Sequence, residues 1–326
     1  MRECFLPKKG YRAVFVIGKG GVGKTTMSAA ISLALAQKGY RTLVVSLDPA
    51  HNLGDVLGVR LEDRPREIAE NLYASEVDME GMIKAYLKHI EETLKHTYRY
   101  LTVINLEKYF EVLRYSPGIE EYATLEVIRR VLSRGDEWDV IIFDTPPTGL
   151  TLRVLALPRI ARTWADKLIE LRLKILDRRK AIEKIHGERK FKLPSDPHED
   201  AVLRELMAYR EEVSDIEAVL TDPEKTSVVA VMNPEMLPLY ETERAFAMLR
   251  RFGIPFTLIV MNKILRLENP PDELRVKMEA QEKVLGLVEE KFPGVEVIRI
   301  PMMAEEPRGL EKLIELGKVI VEGGPW

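Results

Sequence analysis

Residues 13–25 read AVFVIGKGGVGKT, and this stretch decides the fold. The apolar run 13–17 ends at a glycine, as buried strands of parallel sheets do. The pattern Gly-x-x-x-x-Gly-Lys-Thr follows at 18–25, and a helix is predicted from about residue 24 to 38, with Gly39 as its stop. Strand, glycine loop and helix in this order predict a phosphate-binding loop, because glycines let backbone N–H groups curl around phosphate at a helix N-terminus.

The loop is predicted to bind Mg-ATP. The Lys24 ammonium should reach the β- and γ-phosphates, and the Thr25 hydroxyl should ligate Mg²⁺. We therefore predict Mg²⁺ and ATP or ADP as cofactors, with these residues at the nucleotide: Gly18, Lys19, Gly20, Gly21, Val22, Gly23, Lys24, Thr25 and Thr26. Taken alone, Lys19 is also compatible with a solvated loop lysine.

Further apolar runs indicate the rest of the sheet. A second strand is predicted at 42–47, and others at 140–143, 228–231, 257–260 and 295–300. Helical patterns lie between them, one at 241–251 ending at Gly253. This alternation predicts an α/β fold, a mostly parallel, doubly wound sheet with helices on both faces and right-handed crossovers.

Two segments interrupt this alternation with amphipathic helical patterns. We predict an ATPase core of residues 1–78, 117–159 and 221–326, and an inserted helical subdomain of residues 79–116 and 160–220. An exposed loop is expected at about 190–200. Apolar side chains recur at helical spacing in both inserted segments: Met79, Met82, Ile83, Tyr86, Leu87 and Ile90 in the first, and Trp164, Leu168, Leu171 and Ile175 in the second.

Two aspartates end predicted strands. Asp48 follows the second strand and Asp144 follows the run 140–143. Ligands of open α/β sheets bind outside the carboxyl ends of the strands. Asp48 is therefore a candidate for orienting and partly deprotonating an attacking water, and Asp144 for a link to Mg²⁺. Either aspartate could instead cap the helix that follows it.

Composition excludes several classes of protein. The net charge is −3, which argues against nucleic acid as a partner. Cys4 is the single cysteine, so one chain can form neither a disulfide nor a cysteine-based zinc site, and a reducing, cytoplasmic location is expected. No signal peptide or membrane-spanning stretch is predicted. The 31% of charged residues and only two glutamines resemble the composition of thermophile proteins.

Five motifs in order resemble those of one family. The loop at 19–25 resembles the deviant Walker A loop of the SIMIBI class of dimerising NTPases. The stretches 48–52 (DPAHN) and 144–153 (DTPPTGLTLR) resemble switches I and II of the arsenite-pump (ArsA) and tail-anchored-protein targeting ATPase family. Residues 117–121 (PGIEE) and 239–244 (LYETER) are similar to two more of its stretches. The resemblance extends over nearly the whole chain.

The resemblance implies roles for individual residues. Lys19 would reach the nucleotide of the opposite subunit, making the enzyme a homodimer. Asp48 would position the hydrolytic water, with Asn52 in the same switch, and Asp144 would couple to Mg²⁺ through water; Thr25, Asp48 and Asp144 are thus the expected metal-linked residues. Glu235 would report nucleotide state across the interface. The adenine base would be bound by Asn262 and covered by the loop that contains Pro301 and Met302.

The sequence also departs from the family pattern. The eukaryotic targeting ATPase carries a Cys-x-x-Cys zinc clip at its dimer interface, whereas the corresponding residues 270–287 contain no cysteine, so no zinc is expected. Dimerisation would then rest on other contacts or depend on nucleotide. Switch II has Pro146 and Leu150 where the family usually has alanine and histidine.

Three functions are compatible with these motifs. The first is ATP-gated binding of hydrophobic clients, such as the transmembrane segments of tail-anchored proteins, with room for a membrane receptor as a partner. Here methionine-rich helices would line a groove, unless their apolar faces simply pack on one another. The second is an arsenite-pump subunit, which the single cysteine and single P-loop disfavour. The third is a MinD/ParA-like partitioning ATPase, disfavoured by the DPAHN switch and by the core-like final helix at 310–321.

Overall fold

One sheet of eight strands organises the computed structural model, which describes residues 1–50, 52–97, 116, 118–186 and 196–323. The strand order is β3-β4-β2-β5-β1-β6-β7-β8, and only the β3–β4 pair is antiparallel. The strands are β1 Arg12–Ile17, β2 Thr42–Ser46, β3 Arg66–Ala69, β4 Leu72–Glu76, β5 Val140–Asp144, β6 Thr226–Met232, β7 Phe256–Ile264 and β8 Glu296–Pro301. The predicted mostly parallel α/β sheet is confirmed.

Two of these strands were not predicted. β4 pairs in parallel with β2, and β3 forms the antiparallel edge of the sheet. β3 has no buried residue, so it lacks the continuous apolar run that marks the central strands. Asn71 turns the chain between the two strands with a φ of 60°, a conformation that asparagine tolerates better than most residues. Short, polar edge strands carry little sequence signal.

The helices lie on both faces of the sheet. They are α1 Lys24–Gln37, α2 Asn52–Leu57, α3 Met79–Thr97, α4 Ile119–Leu132, α5 Thr148–His186, α6 Ala201–Thr221, α7 Met236–Phe252, α8 Asp272–Lys291 and α9 Leu310–Glu322. Buried residues of α1, α2 and α9 form the core on one face, and those of α4, α7 and α8 form the core on the other, joined by parts of α5 and α6. α1 and α9 approach closely at Gly317: an added Cβ there would lie only 2.0 Å from the Ala30 carbonyl oxygen, so this position requires glycine.

The inserted segments differ in how they pack. In α3, Met79 and Leu87 are buried, and Met82 and Ile83 pack against the main core, so the described part of the predicted apolar face is largely covered; the side chain of Ile90 lies outside the described residues. Residues 98–115 and 187–195, which include most of the predicted exposed loop, lie outside the described residues.

α5 is a single helix of 39 residues, about 58 Å long at 1.5 Å per residue. It begins at Thr148 in the predicted switch II and continues to His186, with Pro158 in its interior. The predicted boundary between core and insertion, at residues 159 and 160, therefore falls inside one continuous helix.

Candidate active site

The P-loop connects β1 to α1 in a conformation that needs its glycines. A Cβ at Gly18 would lie 2.3 Å from the carbonyl oxygen of Val231, and one at Gly23 would lie 2.7 Å from Asn262 Nδ2. Gly23 also has a φ of 100°, which side-chain-bearing residues rarely adopt. Gly20 and Gly21 face open space. The loop is therefore tight against β6 and β7 at its ends and open in its middle.

Parallel register brings the predicted residues to one edge of the sheet. Asp144 on β5 is level with Val16 on β1 and with Ser46 on β2. Gly18 and Asp48 lie two residues beyond those partners, at the carboxyl ends of their strands. The structure thus places the P-loop and both predicted aspartates at the crevice where open α/β sheets bind ligands.

Asp144 is completely buried. Its Oδ1 accepts a hydrogen bond from Ser28 Oγ at 3.2 Å, while its Oδ2 has no hydrogen-bond partner among the described residues. Burial raises the pKa of this carboxyl to about 7; the Thr25 hydroxyl and the Lys24 ammonium oppose the rise, and the charge of Asp48 adds to it. A buried acceptor without a donor is costly in a protein interior.

These groups fit a magnesium ion held partly through water. The free Oδ2 of Asp144 can accept a hydrogen bond from a metal-bound water, and a nearby dication would favour the ionised carboxylate. The described residues contain no cluster of three or more His, Cys, Asp or Glu side chains that could hold a metal alone. This sparse donor set suits Mg²⁺, which keeps several waters and takes further oxygens from substrate phosphates.

A cavity of about 670 Å³ opens beside the P-loop. Gly20, Lys24 and Thr25 form one side, Asp48 and Asn52 another, and residues 302–308 a third. The volume lies within the range of roughly 300–1,000 Å³ found for small-molecule sites. Lys24 is buried, and Asp48 is partly exposed with its Oδ1 accepting from the Ala50 N–H at 3.1 Å. The predicted phosphate ligands and water-orienting residues thus share one cavity.

Most predicted loop residues line this cavity or support it. Gly21, Gly23 and Thr26 are also in its wall, whereas Val22 is buried in the core beneath the loop. Lys19 is exposed at the start of the loop, and its carbonyl accepts a long hydrogen bond of 3.4 Å from the Val22 N–H. His51, between the switch residues Ala50 and Asn52, lies outside the described residues.

The predicted adenine residues are only partly brought together. Asn262 and Met302 line the cavity, and Pro301 precedes Met302 as the last residue of β8. The Asn262 side chain is already engaged, because its Nδ2 donates to the Val22 carbonyl at 2.8 Å and its Oδ1 accepts from the Lys263 N–H at 2.9 Å. Glu235 lines a separate, neighbouring cavity of about 270 Å³ that shares Lys263 and Met302.

Two residues of the site were missed at the level of sequence. Ser28 lies four residues after Lys24, one helical turn along α1, so the helix period could have identified it as a partner for a group below the loop. Lys263 donates from its Nζ to the Gly21 carbonyl at 3.0 Å. No local pattern predicts that contact, since it depends on how β7 lies against the P-loop.

Comparison with known proteins agrees with this geometry. The profile of the family described as "Anion-transporting ATPase" matches residues 11–322. The chain is 35% identical over 314 residues to the "Putative arsenical pump-driving ATPase 2" of Aquifex aeolicus, covering 96% of this chain and 100% of that protein. It is 32% identical over 326 residues to "ATPase get3" of Pyrenophora tritici-repentis (98% of this chain and 94% of that protein), and 33% identical over 325 residues to "ATPase GET3" of Ajellomyces dermatitidis (98% of this chain and 93% of that protein).

A P-loop with both aspartates at one sheet edge, and a match over almost the full length, establish that this chain is an ATPase that belongs to the anion-transporting (ArsA) ATPase family.

Proposed function

We propose that the protein hydrolyses Mg-ATP in the P-loop cavity and uses nucleotide state to bind and release hydrophobic segments of client proteins. Lys24 binds the β- and γ-phosphates, and Asp48 orients the attacking water and accepts its proton. Thr25, together with Asp144 through water, would hold Mg²⁺, which would neutralise phosphate charge when bound. The buried, unpartnered Oδ2 of Asp144 supports this arrangement.

The active form in this proposal is a homodimer with the two P-loops facing each other. Lys19 is exposed at the start of the P-loop, so its side chain would be accessible to a second copy. Asn52 and Glu235 are exposed as well, and Glu235 lines the cavity beside that of the nucleotide. A lysine from each copy would place positive charge on the triphosphate of the other.

The observation that carries the client proposal is an exposed apolar stripe on α5. Trp164 is 66% exposed and Leu171 is 55% exposed. Members of this stripe recur every three or four residues, so they lie on one side of the helix: Ile160, Trp164, Leu168, Leu171 and Ile175. Exposed rows of large apolar side chains usually mark interaction sites.

The residues of the stripe are not the ones through which α5 packs against α6. α5 meets its neighbours through other residues, among which Ala161, Ala165 and Leu176 are buried. The partner helix α6 buries Leu203, Val213 and Ile216 and leaves Met207 exposed. The large side chains therefore remain available to an apolar client, and methionine adapts to clients of varied shape.

Transmembrane segments of tail-anchored proteins, handled in the cytoplasm, are the clients that fit this surface best. A 20-residue apolar helix has to be shielded from water, and two of the relatives carry the name of one ATPase, GET3. None of the described helices combines the length and apolar character needed to cross a bilayer.

The other two functions have less support. Arsenite binding favours thiolates, but burial raises the pKa of the single thiol, Cys4, to about 11. The Cys4 carbonyl accepts from Arg12 at the start of β1, the end of that strand opposite the P-loop. A membrane-targeting final helix, as a partitioning ATPase would need, is disfavoured because α9 buries Leu313, Leu316 and Ile320.

The proposal can be tested with the full chain and a panel of transmembrane-segment peptides. Size-exclusion chromatography with light scattering, with and without Mg-ATP, reports the mass of the protein and the peptide that travels with it. We expect a dimer with Mg-ATP and peptide capture that depends on nucleotide. Replacing Trp164 and Leu171 with lysine should reduce capture at least tenfold while ATP hydrolysis without peptide stays within twofold of the wild type.

A matched control uses Val276 on α8, which is 67% exposed and lies outside the stripe. Val276→Lys changes the same kind of side chain and should leave capture unchanged. Equal capture by the stripe variant and the wild type would exclude α5 as the client surface. A wild-type protein that hydrolyses ATP but remains a monomer throughout would exclude the dimer.

A further inference from the structure

β7 contains a bulge beside the P-loop. Met261 pairs with Arg299 of β8, and Ile264 pairs with Pro301, so three steps along β7 match two along β8. The extra residue lies at 262–263. β-Bulges bend a strand and redirect its side chains, and they are frequent next to active sites.

The backbone of Lys263 is unusual at this bulge. Its φ is 59°, in the left-handed region that lysine rarely adopts. Such a conformation costs free energy and persists where the surroundings hold it in place. Here the Lys263 N–H donates to Asn262 Oδ1 at 2.9 Å.

The bulge directs two side chains onto two consecutive carbonyls of the P-loop. Lys263 Nζ donates to the Gly21 carbonyl at 3.0 Å, and Asn262 Nδ2 donates to the Val22 carbonyl at 2.8 Å. Asn262 is buried, whereas Lys263 is exposed at the rim of the same cavity. The two contacts hold the loop from the side of β7.

Fixing a carbonyl also fixes the N–H of the same peptide unit. The peptide group is planar and trans, so its C=O and N–H point in opposite directions. When the Gly21 and Val22 carbonyls are held by donors, the N–H groups of Val22 and Gly23 are directed away from those donors. The carbonyl oxygens, which would repel phosphate, are at the same time paired with donors, the Gly21 oxygen with an ammonium and the Val22 oxygen with a neutral amide.

We propose that Lys263 is a positioning residue for nucleotide binding: with Asn262, it clamps the P-loop carbonyls so that the loop amides are set before ATP arrives. The inference rests on the proposed binding of ATP in the P-loop. Lys263 acts on the loop backbone, so the clamp serves ATP and ADP alike. A preset loop loses less conformational entropy on binding, which raises affinity without changing the chemical step.

Calorimetric titration of Mg-ATP and ADP into full-length variants tests the clamp. Lys263→Met keeps the length of the side chain and removes the ammonium, and we expect both nucleotides to bind about tenfold more weakly, with kcat at saturation within twofold of the wild type. Lys263→Arg should retain affinity within threefold. Lys263→Gly relieves the backbone strain but lacks the donor, and should bind as weakly as the methionine variant.

Lys277 supplies the control, because it lines the neighbouring cavity together with Lys263 but lies on α8, away from the loop. Lys277→Met removes the same charge from the same region and should not change affinity. Hydrogen exchange without nucleotide gives an independent reading: the amides of residues 21–25 should exchange faster in Lys263→Met than in the wild type.

The outcomes separate the clamp from the proposed function. Tight binding by the wild type together with equal affinity and equal hydrogen exchange in Lys263→Met would overturn the clamp and leave the ATP site intact. Equal losses in Lys263→Met and Lys277→Met would also overturn it, since charge alone would then explain the effect. A wild type that binds no nucleotide would overturn the P-loop assignment and the clamp with it.

Discussion

The carboxyl edge of the sheet and the outer part of α5 depart in opposite ways from the usual arrangement of side chains. At the sheet edge, the polar residues Lys24 and Asp144 are buried. On α5, the large apolar residues Trp164 and Leu171 are exposed. Each arrangement costs free energy in the isolated chain, because buried charge loses hydration and exposed apolar surface orders water. Under the proposed function, a ligand of matching chemistry would relieve each cost: a magnesium-bound polyanion at the sheet edge and an apolar helix at the stripe.

The two regions are joined by one element and by ion pairs. α5 runs from the switch to the stripe without interruption. Near its start, Arg153 donates to Glu121 of α4 at 2.8 Å, and further along Arg162 donates to Glu217 of α6. We therefore expect substitutions at the sheet edge to change chemistry, the loss of a buried pair between α5 and α6 to change stability, and the loss of an exposed pair such as Arg153–Glu121 to change either one only slightly.

The largest effect is expected for Asp48→Asn. The amide keeps the shape of the side chain but accepts a proton poorly, so hydrolysis should fall by about 10²–10⁴-fold, the contribution typical of a positioned acid–base group. ATP affinity should remain within threefold, because Lys24 and the loop amides are unchanged. Single-turnover hydrolysis together with a binding titration separates the two quantities.

Asp55→Asn is the matched control for this substitution. Asp55 lies on the following turn of the switch, in α2, and lines the same cavity, but we assign it no role. Its variant should retain more than half of the wild-type rate. A fall of similar size in both variants would mean that the negative charge of this wall, and not the position of Asp48, supports hydrolysis.

The sheet edge was far more predictable from sequence than the helical insertion. A P-loop has a fixed spacing of residues. A residue at the end of a parallel strand, such as Asp144, or directly after one, such as Gly18, lies at the carboxyl edge of the sheet whichever strands are its neighbours. Helical spacing predicts that Met79 and Trp164 lie on apolar faces, but it does not say which face another element covers. Only tertiary packing shows that the described residues of the α3 face are buried or pack against the core, while the α5 stripe is exposed.

Contacts between distant segments were also beyond prediction. The bulge at Lys263, the edge strand β3 and its neighbour β4 depend on register against adjacent strands, for which a single sequence carries little signal. The same holds for the engaged side chain of Asn262, whose partner Val22 is 240 residues away in the chain.

An intermediate effect, on stability, is expected for Asp200→Ala between α5 and α6. The Asp200 carboxylate is 1% exposed, accepts two hydrogen bonds from Arg172 at 3.0 and 2.7 Å, and caps α6 by accepting from the Leu203 N–H at 2.8 Å. Removing one partner of a buried pair costs about 3–5 kcal/mol. We expect about 3 kcal/mol here, because Arg172 retains some exposure to water.

Calorimetric melting at pH 7 measures this loss, and the ATP hydrolysis rate per folded molecule at 25 °C should not change. The Arg172 hydrogen bonds lower the pKa of folded Asp200. The pair therefore stabilises the protein fully above the unfolded-state pKa of about 3.9, and this contribution is lost as pH falls through the lower folded-state value. The difference between wild type and variant should accordingly shrink below about pH 4. A constant difference down to pH 2 would show that packing, not charge, links the helices.

The smallest effect is expected for the pair Arg153–Glu121, which connects the first turns of α5 to α4. The Arg153 side chain is 60% exposed, and pairs of this kind contribute about 0.2–1 kcal/mol. A double-mutant cycle with Arg153→Met and Glu121→Gln should give a coupling free energy of unfolding near 0.5 kcal/mol that falls as salt is raised.

The same four proteins, assayed for ATP hydrolysis with and without peptide, show whether this pair couples the sheet edge to the stripe. A change in peptide-dependent rate above about threefold exceeds what 0.5 kcal/mol can produce. It would mean that this pair, and not the continuous helix alone, couples the sheet edge to the stripe.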